Sequence, residues 1–167
     1  MWRLFLAVAT SAVGVLSYAG PLRAALEQAD FVLVEKTQHR LTLFAKHHPL
    51  KTYRVALGSG GLDAKAREGD RRAPEGRYKI DGRLMQSQYY RTLHISYPSP
   101  ADRRFAAARH VRPGGAIMIH GLPNGMAWLG VNHRLYDWTN GCIAVSDEEI
   151  EEIWRLVPDG TAIEIRR

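Results

Sequence analysis

The chain has 167 residues, enough for one domain that can build a core without disulfides or a structural metal. Its 46% hydrophobic and 24% charged content is ordinary for a globular protein and excludes a disordered or fibrous chain. The 23 Lys and Arg against 17 Asp and Glu leave a net charge of +6. That excess is scattered and mixed in sign, so no basic stripe points to nucleic acid.

The N-terminus reads MWRLFLAVATSAVGVLSYAG. Arg3 precedes an apolar run, Leu4–Leu16, and Ser17 and Ala19 supply small residues for a cut after Ala19. The run is shorter than the roughly 20 apolar residues of a membrane span. Residues 1–19 are therefore expected to be a cleaved export signal or an uncleaved membrane anchor. A linker over 20–29 and one domain over 30–167 would follow, working in the periplasm or cell envelope.

Strands are expected at Phe31–Lys36 and His39–Ala45, joined as a hairpin, and at Lys51–Gly58, where Tyr53, Val55 and Leu57 alternate with Arg54 and Ala56. A long glycine- and charge-rich loop, GSGGLDAKAREGDRRAPEG, comes next; loops of such length within a domain are often functional. Further strands are expected at Arg77–Arg83 and Thr92–Pro98, and a helix at Ala101–Val111. The apolar AIMIHG (Ala116–Gly121) reads as a buried central strand. A loop-rich stretch leads to the strand CIAV (Cys142–Val145). Ser146 and Glu149 form the signature of a capping box for a last helix, whose buried face would be Ile150, Ile153, Trp154 and Val157. Pro158-Asp159-Gly160 stops that helix, and TAIEIRR closes the chain as a strand. The expected fold is mostly β with one or two peripheral helices.

Cys142 is the single cysteine. Exported proteins usually pair their cysteines, and one thiol cannot form an internal bridge. It is then an intermolecular link, an inert buried thiol, or a nucleophile. A nucleophile needs a base, donors for the developing oxyanion, and access to substrate. Among the seven histidines, His120 stands out because it ends the apolar run AIMI, where a rigid strand can present a ring to a cleft. His133, in the loop before Cys142, is the weaker base candidate. Gly141 permits a tight turn that uncovers the amides of Gly141 and Cys142 as oxyanion donors. Thr139 and Asn140 are expected to brace that turn through side-chain bonds to the backbone.

The pair IHG (Ile119–Gly121) and TNGCIAV (Thr139–Val145) resembles the active-site signature of the L,D-transpeptidase catalytic domain, the YkuD-like family. REGDRRAPEGRY, HISYP and PGGAIMIHG extend the resemblance over roughly residues 31–166. Asn140 stands where the family most often has His, and Ala73 stands at the first position of a TPEG-like stretch. The resemblance implies a β-sandwich or open-barrel-like catalytic fold with Cys142 as nucleophile and His120 as base and later proton donor. It also implies that the Gly121 carbonyl holds the ring. The substrate would be a peptidoglycan stem tetrapeptide, cut at the L-centre of its third residue, diaminopimelate or lysine. The acyl acceptor would be another stem's amine, a lipoprotein lysine, or water, the last giving a carboxypeptidase or amidase. No metal or organic cofactor is implied, and carbapenems are expected to acylate Cys142.

Two rival readings come from other classes. A zinc hydrolase would need ligand spacing that the sequence lacks, since His47 and His48 are adjacent and no HExxH helix is present. A wall-binding domain that keeps the fold without turnover would leave the His120 and Cys142 pairing without a use.

Overall fold

Alternation of side chains sets the sheet. In β1 (Phe31–Glu35) Val32 and Val34 are buried, while Phe31, Leu33 and Glu35 face the other side. The computed structural model describes residues 27–167. The expected signal or anchor over 1–19 and most of the linker lie outside those residues. The end of the linker does not: Ala29 is buried in the core and donates its N–H to the Leu156 carbonyl.

Eight strands form one sheet in the order β3-β2-β1-β8-β4-β5-β6-β7. β2 (Arg40–Ala45) pairs antiparallel with β1 and with β3 (His48–Arg54). β8 (Ala162–Arg166) inserts parallel to β1 and antiparallel to the first part of β4 (Gly76–Gln86). The rest of β4 pairs with β5 (Tyr90–Ile95), which pairs with β6 (Met118–His120). β4 outruns its expected span because it serves two neighbours in succession, with a register shift between Ile80 and Gly82 at the changeover. The core is aliphatic, with Leu41, Leu43, Ile80, Leu93, Ile95, Ile119, Ile143 and Ile163 fully buried.

The first helix ends at Ala107 and not Val111, β6 starts at Met118 and not Ala116, and two elements differ more from expectation. β3 starts at His48 and ends at Arg54, not Lys51–Gly58, because the chain beyond it departs for the opposite edge of the sheet. There Ala56 exchanges both backbone bonds with Ala144 of β7 (Ile143–Ala144), at 3.0 and 2.9 Å. The two sheet edges thus meet, which closes the sheet toward a barrel and leaves β7 unexposed as an edge. The second difference is a kinked 3₁₀ segment, Ala127–Leu135, in place of loop. Its Trp128, Val131 and Leu135 are exposed, so no apolar periodicity announces it. With α1 (Pro100–Ala107) and α2 (Asp147–Leu156), the described residues hold three helical segments around a mostly β fold. α2 carries the reciprocal capping bonds between Ser146 and Glu149 and buries Ile150, Ile153 and Leu156, while Trp154, expected on that face, is half-buried with Arg83 and Arg91 over its ring.

The loop between β3 and β4 is held by one buried and one half-buried charge. Lys36 is fully buried, and its Nζ donates to the Asp63 and Ala73 carbonyls and to Glu75 Oε1, at 3.0, 3.2 and 2.8 Å. Asp70 accepts from Lys65 Nζ and from the amides of Ala66, Arg67 and Arg72, at 2.7 to 3.1 Å. Burial pushes the Asp70 pKa up, but these four donors overcome it and draw it down to about 2 from an ordinary 3.8. A carboxylate depressed in the folded state contributes stability above its unfolded pKa and loses it as pH falls through the folded one. Asp70→Asn should therefore cost about 1 kcal/mol at neutral pH, since solvent screens part of the charge. In urea titrations the difference from the parent should shrink between pH 4 and pH 2; a constant gap would mean that the charge is not what holds the loop.

Candidate active site

β6 and β7 are parallel, with Ile119 opposite Ile143 and His120 opposite Ala144. Ile119 and Ile143 face the core, so His120 and Ala144 face the other side. Cys142 lies two residues before Ala144 and shares its side. The register therefore sets residue 142, just before β7, diagonally across from His120 on the same side of the sheet.

The turn that delivers Cys142 is built by Thr139. Its hydroxyl donates to the Cys142 carbonyl at 2.8 Å and accepts the Gly141 N–H at 3.1 Å. Its backbone is clamped to the chain beyond β3, with Thr139 N–H on the Leu57 carbonyl and Ser59 N–H on the Thr139 carbonyl, both at 3.0 Å. Asp137 adds a second clamp, accepting from the Leu57 amide at 2.7 Å and lying 3.0 Å from His39 Nε2. Gly141 has φ +117°, and a Cβ there would lie 2.5 Å from the Arg72 carbonyl oxygen, so only glycine fits.

Two expectations about this turn need correction. The Gly141 amide is committed to Thr139 Oγ1, so it is not a free oxyanion donor; among the described residues, no acceptor engages the Cys142 amide. Asn140 is exposed and among the described residues makes no side-chain bond to the turn, since the single Thr139 hydroxyl already bridges both of its ends.

His120 is buried, and its Nδ1 lies 2.7 Å from the Gly121 carbonyl. A carbonyl can only accept, so Nδ1 carries the hydrogen and Nε2 is left as the basic nitrogen. Tyr89 stacks on the ring at 4.1 Å, and Trp138 meets it edge-on at 5.7 Å. Burial lowers the His120 pKa to about 4; the Gly121 carbonyl opposes this and nearby His133 adds to it. Cys142 is partly exposed. Its thiol donates toward the Ala116 carbonyl at 3.5 Å. Burial pushes its pKa above the ordinary 9.0, against smaller opposing effects of the Met118 amide and Lys65. His133 sits in the 3₁₀ segment against the edge of Trp138, 6.3 Å away. Among the described residues no contact brings it to Cys142.

Tyr89 and Trp138 went unnoticed in the sequence. Both are aromatic residues in turn-like stretches, and their position over His120 depends on pairings far apart in the chain. Among the described residues, no group of three or more His, Cys, Asp or Glu is arranged to hold a metal.

The fold has known counterparts. The family model for the L,D-transpeptidase catalytic domain, YkuD, matches residues 29–165, so the chain belongs to that family, whose members act on peptidoglycan peptides in the cell envelope. It is similar to YafK of Escherichia coli (strain K12), itself named only as a candidate L,D-transpeptidase, with 29% identity, covering 76% of this chain and 46% of that protein. The chain thus spans about half the length of the curated relatives it matches. In fold it is similar to Pgp2, a helical cell shape determining protein of Campylobacter jejuni, with TM-score 0.64 and 20% identity over 84% of this chain and 48% of that one. Bd1075 of Bdellovibrio bacteriovorus has TM-score 0.60 and 24% identity over the same shares.

The electrostatics of the pair are testable. With the imidazole pKa near 4 and the thiol above 9, both groups are neutral at pH 7. Alkylation of Cys142 by iodoacetamide should be slow at pH 7 and still be rising at pH 9. A plateau near neutrality would reveal a preformed thiolate–imidazolium pair instead. The single cysteine makes the label unambiguous.

Proposed function

We propose that this chain is a cysteine-dependent peptidoglycan L,D-transpeptidase that acts on stem tetrapeptides through a thioester, in cell-wall cross-linking or remodelling. The observation that supports the reading is the parallel β6–β7 register, which puts residue 142 on the same side of the sheet as a histidine whose Nδ1–H is already committed to Gly121. The family match supports the substrate class.

His120 Nε2 takes the thiol proton as Sγ attacks the carbonyl carbon at the L-centre of the third stem residue. The negative oxygen of the tetrahedral intermediate is met by the Cys142 amide. Collapse expels D-alanine, whose amine takes the proton from His120, and leaves the thioester. An acceptor then attacks, giving its proton to His120 Nε2, and Cys142 is released as the thiol. A stem amine gives a cross-link, a lipoprotein lysine an anchored protein, and water a shortened stem. Both groups start neutral, so proton transfer accompanies attack and does not precede it. The expected export signal or membrane anchor would bring the domain to its substrate in the periplasm.

Incubation with tetrapeptide muropeptides, read by mass, tests the reading and the acceptor together. Wild type should form an acyl adduct that has lost one D-alanine, and a carbapenem should label the same residue. Cys142→Ala should form neither adduct, and His120→Gln should acylate about 10²-fold or more slowly. A wild-type protein that stays unmodified by both reagents would sink the mechanism and leave the wall-binding reading.

A further inference from the structure

The His120 ring is anchored on one peptide group, Gly121–Leu122, and the other end of that group is also held. Its carbonyl accepts from His120 Nδ1 at 2.7 Å, while its N–H, on Leu122, donates to Asp147 Oδ1 at 2.8 Å. Carboxylate, peptide and imidazole thus form one continuous hydrogen-bonded chain. The carboxylate lies so close that a Cβ on residue 121 would meet Asp147 Oδ1 at 2.7 Å and the Tyr90 carbonyl oxygen at 2.6 Å. Glycine at 121 therefore leaves the room in which Asp147 reaches the peptide.

We propose that Asp147 is a positioning residue that acts on His120 through the Gly121–Leu122 peptide, fixing the ring and increasing the basicity of Nε2. A negative charge accepting from one end of a peptide polarises it and strengthens the acceptor at the other end. A stronger acceptor on Nδ1–H favours the imidazolium that forms when His120 takes the thiol proton. The effect is that of a carboxylate bound directly to a catalytic histidine, transmitted across one amide.

The surroundings favour Asp147 over other carboxylates. It is the first residue of α2, directly after the Ser146 cap, where the helix terminus stabilises negative charge. On its own helix it faces Glu148 and Glu151. Glu148 is bonded to the Ser146 hydroxyl, and Glu151 is taken up by Arg91 and the Tyr90 hydroxyl from β5. His120 is the titratable group reached from β6. Asp147 is half-buried, and burial, offset in part by the Leu122 amide and reinforced by Glu148 and Glu151, moves its pKa up from 3.8.

The proposal rests on the transpeptidase reading only for turnover, so its test includes probes that need no substrate. In Asp147→Asn the side-chain oxygen can still accept from Leu122, and the charge alone is lost. That variant should keep its melting temperature, shift the His120 Nδ1–H resonance upfield, and react with iodoacetamide about tenfold more slowly at pH 8. Asp147→Ala should do both and also broaden the resonance. Glu148→Gln, which removes a neighbouring charge off the chain of bonds, should leave both probes at the wild-type value. Unchanged resonance and reactivity in Asp147→Asn, or equal effects from Glu148→Gln, overturn the proposal. Should both probes respond as expected while wild type never acylates with tetrapeptide, the coupling stands and the transpeptidase reading fails.

Discussion

Everything in the site depends on two short strands lying parallel in one register. β6 and β7 contribute three and two residues, too few to hold each other in water. β7 is kept in place from its other side by Ala56, which exchanges two backbone bonds with Ala144. A slip of one residue would turn either His120 or Cys142 into the core and bring Ile119 or Ile143 out. Burial of those isoleucines therefore sets the chemical register as well as the hydrophobic one. The clamps on Thr139 and Asp137 extend the same constraint to the turn before Cys142.

Burial then determines the charge state. The His120 ring lies beneath Tyr89 and beside Trp138, with one nitrogen spent on a carbonyl. Such an environment disfavours the imidazolium, and the same burial disfavours the thiolate of Cys142. Both groups are thereby driven toward their neutral forms. The helix α2 enters this balance through its first turn, which packs beneath the strand end that carries His120. The long loop enters through its backbone, because the Arg72 carbonyl closes the space behind Gly141.

Much of this was legible in the residues, and the parts that were not share a cause. The capping box of α2 is local: Ser146 and Glu149 are three residues apart, and their bonds form wherever the helix lies. The hairpin of β1 and β2 is equally local. The end of β3 is not, since Arg54 ends the strand only because Ala56 is needed by β7, far along the chain. The 3₁₀ segment has no sequence signal because Trp128, Val131 and Leu135 are exposed and carry no period. Asn140 was expected to brace the turn, but hydroxyl geometry lets Thr139 alone satisfy both ends. Tyr89, Trp138 and Asp147 show no motif, because what matters is which atoms of His120 and of its supporting peptide they touch.

Sequence alone determined that one thiol and one strand-ending histidine were available, that glycine stood at 121 and 141, and that the chain was mostly β. Those are properties of residue type and short spacing, and the physics behind them acts within a few residues. Only the tertiary structure decided that the two strands lie side by side and in parallel, that the Gly141 amide is occupied, and that His133 stands against Trp138 with no contact to the thiol. It also decided that a helix carboxylate reaches the peptide that holds the histidine. Each of those facts rests on contacts between segments separated along the chain, whose relative placement comes from closing the sheet and burying its core.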